Sequence, residues 1–477
     1  MNQNALNYIK NQINDARYIL AGHIKDADGI FYHPRNIFSK INSYLENFLA
    51  NPDNERWIII PGLRGVGKTT ILAQTYYKLA KEIDNKYLLY ISLDEALGTL
   101  GLSLKDIIEA YEYFLGERLG EQKNKLFIFI DEVQADKNWS QTIKTLLYNK
   151  NKNIFIISTG SSAVSLQVDA DVSRRAVFEK LYPMNFSELE LIKNNLPLEQ
   201  KLSKKIKDAL YNSSSAQDAC QKLLEHQKSI ANYFSKIDKG EIEKYISIEN
   251  LPFTLNREKG KTYEKIRLLI DKVVNTDIRD LAKFDIDTLG SIKRLLFILA
   301  DSLDAPSVSK LSAIAGIKRL TLMNVLEILE KAELLIKISP HGSNFTKSKK
   351  PSKYLFMSST YRLALLSITG DSSTSLTRQG KSMEDVVGAY LFQEFVSSGK
   401  GSLSYDPSQG GADFILEIDQ QKKIIFEVGH GDKDNKQINR TAEKVKSDYG
   451  IAISASSDLI EVKGNVLKIP FRVFLIS

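Results

Sequence analysis

One ten-residue stretch leaves this chain few choices of fold: Pro61-Gly62-Leu63-Arg64-Gly65-Val66-Gly67-Lys68-Thr69-Thr70. It fits the phosphate-binding loop G-x-x-x-x-G-K-[ST], and it lies between the apolar run Trp57-Ile58-Ile59-Ile60 and an amphipathic stretch beginning Ile71-Leu72. Strand, loop and helix in that order are what such a loop requires. Gly62, Gly65 and Gly67 let successive N–H groups turn into one concavity, with Arg64 and Val66 in the same curl, and the following helix adds the positive end of its dipole. Lys68 is expected to reach the β- and γ-phosphates, the Thr69 hydroxyl to hold Mg²⁺, and Thr70 to close the loop.

A second run, Leu126-Phe127-Ile128-Phe129-Ile130, is short and apolar enough to be a strand buried on both faces. It ends in Asp131-Glu132, which reads as a Walker B site. Asp131 is expected to bind Mg²⁺ through water and Glu132 to polarise the water that attacks the γ-phosphate. Between the two motifs Tyr87-Leu88-Leu89-Tyr90-Ile91 predicts a further strand. That order favours ATP hydrolysis over kinase chemistry.

At 477 residues and 43% hydrophobic content the chain can bury ordinary cores in about two to four domains. A net charge of +7 permits nucleic acid as a partner without demanding it. A single cysteine, Cys220, excludes an intrachain disulfide, and with five scattered histidines it argues against zinc. No apolar run approaches bilayer-spanning length, so the expectation is a soluble cytoplasmic protein with no membrane contact.

Ahead of the phosphate loop, Ile37, Ile41, Leu45, Phe48 and Leu49 recur at helical spacing. Past Asp131-Glu132-Val133-Gln134 comes a helical stretch, then the buried run Asn153 to Ser158, which delivers Ser158 and Thr159 beside the expected γ-phosphate. Either hydroxyl could sense it, or these residues could simply cap a helix. Arg175 precedes a short strand through Val177 and Phe178 and could stabilise the transferring phosphoryl group, in cis or from a neighbouring subunit.

The spacing from the phosphate loop through Asp131-Glu132-Val133-Gln134, Trp139, Thr159-Gly160-Ser161-Ser162, Arg175 and Pro183-Met184-Asn185-Phe186 resembles that of the archaeal-type AAA ATPases. The resemblance implies Thr159 at the sensor position and Arg175 as the family arginine. It also implies a whole-chain order of ATPase, helical lid, winged helix and restriction-endonuclease-like domain.

Residues 196–244 are polar, with apolar residues at loose helical spacing, and read as helices inserted in or extending the lid. Val308 to Ala315, a turn at Gly316 and Lys318 to Leu329 predict a helix-turn-helix. Leu334 to Ile338 and Tyr354 to Met357 would form a wing around a flexible basic tip, Ser343 to Lys350. Lys318, Arg319, Asn324, Lys347, Lys349 and Lys350 are the expected DNA contacts. A helix carrying Glu384, strands at Leu403 to Tyr405, Ala412 to Ile418 and Lys423 to Val428, a helix from Asn435 to Ser447 and a strand at Gly450 to Ser454 resemble the restriction-endonuclease-like fold. In its active members Asp413 and Glu427 would bind Mg²⁺. The lysine expected two residues after the glutamate is absent, because Gly429 stands there; Lys433 or Lys436 could substitute for it.

The fold class expected is therefore α/β: a P-loop ATPase with a parallel sheet over 1–190, a helical lid over 191–285, a winged helix over 286–370 and a small α/β restriction-endonuclease-like domain over 371–477. The expected cofactors are ATP and Mg²⁺. DNA through the winged helix, or else a protein, is the expected partner, with nucleotide-dependent assembly if Arg175 acts in trans. Two alternatives remain open: an ATP-regulated DNA nuclease, and a slow nucleotide-binding switch.

Overall fold

Runs of β-branched and aromatic residues become central strands when both faces can be buried, because ladder pairing then satisfies every peptide group. The computed structural model describes residues 2–26, 28–161, 170–279, 284–369, 376–431 and 435–477. Its first compact unit ends at Tyr182. Within that unit β1 (Trp57–Pro61), β2 (Leu88–Ser92), β3 (Leu126–Asp131), β4 (Ile154–Gly160) and β5 (Val177–Phe178) form a parallel sheet in the order β2-β3-β4-β1-β5. The two motif-bearing strands, β1 and β3, are thus separated by β4, and the strand predicted between them in sequence lies at the edge.

Three helices complete what the site needs. The helix α1 (Gln3–Ile24) is capped by the Asn2 side chain and packs on β2 and on the helix Leu104–Leu115. The predicted helix ahead of the phosphate loop is α2 (Ile37–Ala50), which buries Ile41, Leu45 and Phe48. The loop itself runs into α3 (Lys68–Leu79). Trp139 is buried edge-on against Trp57, with ring centroids 6.5 Å apart, so its role is to support β1.

The second unit begins at Pro183. Among its described residues, helices Val308–Ala315 and Arg319–Lys331 flank Gly316, whose φ of +72° ends the first of them. The hairpin β6 (Leu335–Pro340) and β7 (Lys353–Phe356) follows. Its tip differs from the expectation: Asn344–Lys349 is a short helix, capped by the Ser343 hydroxyl on the Thr346 N–H.

The hairpin is not a separate module. Ser339 and Pro340 of β6 pair in parallel with Ser404 and Tyr405. This joins the hairpin to β8 (Gly401–Tyr405), β9 (Phe414–Ile418), β10 (Lys422–Gly429), β11 (Tyr449–Ser454), β12 (Glu461–Lys463) and β13 (Val466–Pro470) in one sheet ordered β12-β13-β11-β10-β9-β8-β6-β7. Arg362 reinforces the join. It is buried, makes two hydrogen bonds of 2.6 and 2.9 Å to Asp385 and donates to the Leu299 and Ala300 carbonyls.

The polar insertion also finds a different place. Helix Ala216–Glu225, read with the lid, packs on β11, β12 and β13, and helix Gln200–Tyr211 packs on it. Tyr211 meets Phe395 edge-on at 4.8 Å, and Tyr449 donates its hydroxyl to the Leu210 carbonyl at 2.7 Å. Leu202, Ile206 and Leu210 form the buried side of the otherwise polar helix Gln200–Tyr211.

Candidate nucleotide site

At the C-terminal end of β1 the chain must turn sharply while keeping its N–H groups inward. Gly62 pairs beside Leu181, and a Cβ there would lie 2.4 Å from the Leu181 carbonyl oxygen, so only glycine fits. Gly65 and Gly67 take left-handed φ values of +82° and +96°, and the second directly precedes the first residue of α3. Lys68 is buried and donates to the Gly62 and Leu63 carbonyls at 3.0 and 3.1 Å. Thr70 lies in the first turn of α3, within the same described segment.

The buried Asp131 joins the two motifs. Thr69 donates its hydroxyl to one Asp131 oxygen at 2.7 Å, and Thr159 donates to the other. Strand alternation separates the two candidate sensors: Thr159 faces Asp131, whereas Ser158 turns to the other side and bonds the Ile58 carbonyl at 3.4 Å. Burial pushes the Asp131 carboxyl above the ordinary range, and the Glu132 charge adds to this, against the hydroxyls of Thr159 and Thr69 and the charge of Lys68.

Glu132 follows with φ +53°, an uncommon conformation for a residue bearing a side chain. Its carboxylate is held by the Gln134 amide and lies 3.9 Å from Arg64 of the phosphate loop. Gln134 in turn accepts from the Ser161 N–H at 3.3 Å, so this one amide ties Glu132 to the end of β4. Ser162 lies outside the described residues.

Arg35 escaped the reading of the sequence. It is buried, donating to the Val66 carbonyl of the phosphate loop at 2.9 Å and to the Tyr182 carbonyl at 2.8 Å. It joins three segments remote in sequence, and its only local signal is a cation just before an amphipathic helix. Replacing it by Met keeps the stem and removes the donors. That change is expected to cost about 1–3 kcal/mol of stability through two unsatisfied buried carbonyls and to weaken nucleotide binding roughly tenfold, the equivalent of about 1.4 kcal/mol. Nucleotide titration and thermal melts check both, and an unchanged affinity would remove Arg35 from the site.

The structure does not bring Arg175 to this cluster. Arg175 lies in the turn just before β5, its N–H bonded to the Val172 carbonyl, and Val177 and Phe178 then pair in parallel with Ile58 and Ile59. β5 runs parallel to β1, so the chain enters it from the end of the sheet opposite the one where β1 passes into the phosphate loop. Asp413 and Glu427 lie in the second unit and adjoin one another there: the Asp413 N–H donates to Glu427 at 3.3 Å. Lys433 lies outside the described residues, and Lys436 begins the helix Lys436–Val445.

A family model described as an AAA domain matches residues 54–190. An uncharacterized protein of Methanocaldococcus jannaschii, MJ1637, is 34% identical over 470 residues, covering 98% of this chain and 93% of that protein. An uncharacterized Haemophilus influenzae protein is 24% identical over 153 residues, 32% of this chain and 37% of its own length. Among solved structures, the Aeropyrum pernix ORC1 protein in complex with DNA aligns at a TM-score of 0.33 and 13% identity, covering 74% of this chain and 96% of that one. Thermotoga maritima RuvB aligns at 0.27 and 14%, covering 66% and 92%. With an AAA domain built around a phosphate loop, and with a relative matched over nearly its whole length, this chain belongs to the AAA family of P-loop ATPases and shares its lineage with MJ1637.

Proposed function

We propose that the chain is a Mg²⁺-dependent ATPase whose nucleotide state governs engagement of DNA by its second unit. The observation that carries this reading is the joining of Thr69, Asp131 and Thr159 through hydroxyl-to-carboxylate bonds beside the Lys68 loop. Hard oxygen donors at this spacing suit Mg²⁺, which would be held by the Thr69 hydroxyl and Asp131 and would neutralise charge building on the phosphates. Gly62, Gly65, Gly67, Lys68 and Thr70 then cradle the triphosphate. Glu132 orients water, while Thr159 senses the γ-phosphate through Asp131. Phosphoryl transfer asks for positioning and charge stabilisation, and this cluster supplies both.

The DNA half of the proposal draws on the helix-turn-helix and its hairpin. Lys318 and Arg319 are exposed at the start of the second helix and Asn324 further along it, and Lys347, Lys349 and Lys350 crowd the short helix at the hairpin tip. A protein partner is the second reading. It is favoured by Leu320, which is 79% exposed, and by Met323, 51% exposed, on the same helix. Among the described residues no helix is long and apolar enough to cross a membrane.

Steady-state ATP hydrolysis with and without duplex DNA, beside a Lys68→Ala control, tests the proposal. The expected outcome is a Lys68-dependent rate that DNA raises severalfold, with the increment lost at high salt or on replacing the three tip lysines. A Lys68-dependent rate indifferent to DNA would transfer the trigger to a protein. A rate unaffected by Lys68→Ala would remove the ATPase reading.

A further inference from the structure

Active restriction-endonuclease-like domains hold Mg²⁺ between the carboxylates that Asp413 and Glu427 represent here, and the residues present do not fit that ion. Around them, three carboxylates and two lysines converge from four elements: Glu384 and Lys381 on the helix Leu376–Leu391, Asp413 ahead of β9, Glu427 on β10, and Lys353 on β7 of the hairpin.

The acceptors are taken one by one. Lys353 contacts one oxygen of Glu384 and lies 3.3 Å from Asp413 Oδ1. Lys381 bonds the other Glu384 oxygen at 2.7 Å. The second Asp413 oxygen accepts the Val428 N–H at 3.0 Å, and Glu427 Oε2 accepts the Asp413 N–H at 3.3 Å. The side chains of Glu384 and Lys353 are only 4% and 12% exposed, so water contributes little to their compensation. Among the described residues no three metal-ligating side chains gather in a cation-sized group.

A buried carboxylate must be neutralised by something, and an ammonium and a divalent cation are alternative solutions for the same oxygens. We propose that Lys353 is the built-in cation of this centre: it bridges Glu384 and Asp413, occupying an oxygen of one of the two carboxylates a metal would need, with Lys381 completing the neutralisation of Glu384. The centre is therefore closed to Mg²⁺ and Mn²⁺, and the C-terminal domain performs no metal-dependent cleavage. Because Lys353 belongs to the hairpin, the same ion pairs lock the helix-turn-helix to the rest of the sheet. This inference is independent of the nucleotide site.

The test is Mn²⁺ binding to the full-length chain without nucleotide, followed by the free-Mn²⁺ electron paramagnetic resonance signal. Wild type and Asp413→Asn are expected to give superimposable isotherms, which cancels any contribution from the phosphate loop. Lys353→Met removes the ammonium and keeps the stem. It is expected to gain one Mn²⁺ site at least tenfold tighter than any Asp413-dependent binding in wild type, and to show a melting temperature that rises with Mn²⁺ while that of wild type does not. Lys353→Met/Asp413→Asn should lose both gains. Where Lys353→Met folds poorly, the wild-type and Asp413→Asn comparison still decides. Mn²⁺ binding or metal-dependent DNA cleavage by wild type that disappears in Asp413→Asn would overturn the proposal, as would a folded Lys353→Met chain that gains no site.

Discussion

Glu132→Gln is expected to bind ATP with an affinity within a few-fold of wild type and to hydrolyse it about 10²–10⁴-fold more slowly, the range associated with losing one positioned general base. The substitution preserves volume, so Gln134 and the neighbouring Arg64 keep a partner of the same shape. What is lost is the capacity to accept a proton from water. The backbone supplies a second reason for a clean result. Glu132 sits at φ +53°, held by the bond from its own N–H to Thr159 Oγ1 at 3.3 Å, and glutamine imposes no greater steric demand there than glutamate. Equilibrium binding of a fluorescent nucleotide together with single-turnover hydrolysis separates the two quantities. Turnover within threefold of wild type would show that Glu132 is not the base, and a collapse of binding would mark it as part of the loop's support.

Arg175→Ala is expected to lower turnover by about 10³–10⁵-fold while sparing nucleotide affinity, the span seen when an arginine that stabilises transition-state charge is removed. The direction of β5 makes a stronger claim. Since Arg175 lies at the end of the sheet away from its own phosphate loop, it would serve the nucleotide of a neighbouring subunit. Mixing Arg175→Ala with Lys68→Ala then restores activity, because one kind of interface pairs an intact loop with an intact arginine. Specific activity should also rise with protein concentration. If each variant is inactive and the mixture remains so, Arg175 acts inside its own chain or only holds β5 in place.

The nucleotide-site side chains were legible because their chemistry is local. A phosphate nest is made by ten adjacent residues, and the Asp131-Glu132 pair follows directly on its own strand. The spacing of Ile37, Ile41, Leu45 and Phe48 likewise announced a helix by itself. The helix α1 carries the same kind of signal, with Ala5, Ile9, Ile13, Ala16 and Leu20 at helical spacing. The hydroxyl choice at β4 was open in one dimension. It was resolved only when β4 lay beside β3, so that strand alternation turned Thr159 toward Asp131 and Ser158 away.

The second unit divides along the same line. Its helix-turn-helix and most of its strands could be read from apolar spacing and turn residues, since both depend on neighbours a few positions apart. That the hairpin continues the C-terminal sheet could not, because the pairing of Ser339 with Ser404 joins positions 65 residues apart and carries no local mark. Nor does local spacing say which apolar surface the helices of the polar insertion meet, because helix Ala216–Glu225 packs on strands more than 200 residues away.

The sequence by itself determined the phosphate nest, the acidic strand end and the apolar strands that carry them, because each is a short-range consequence of residue type and spacing. Only the tertiary structure decided which groups meet: Arg35 with the phosphate loop, Gln134 with Glu132, and Lys353 with Glu384 and Asp413. A buried charge takes whichever counter-charge the packed chain delivers, and that is a property of strand order and register, not of spacing along the chain.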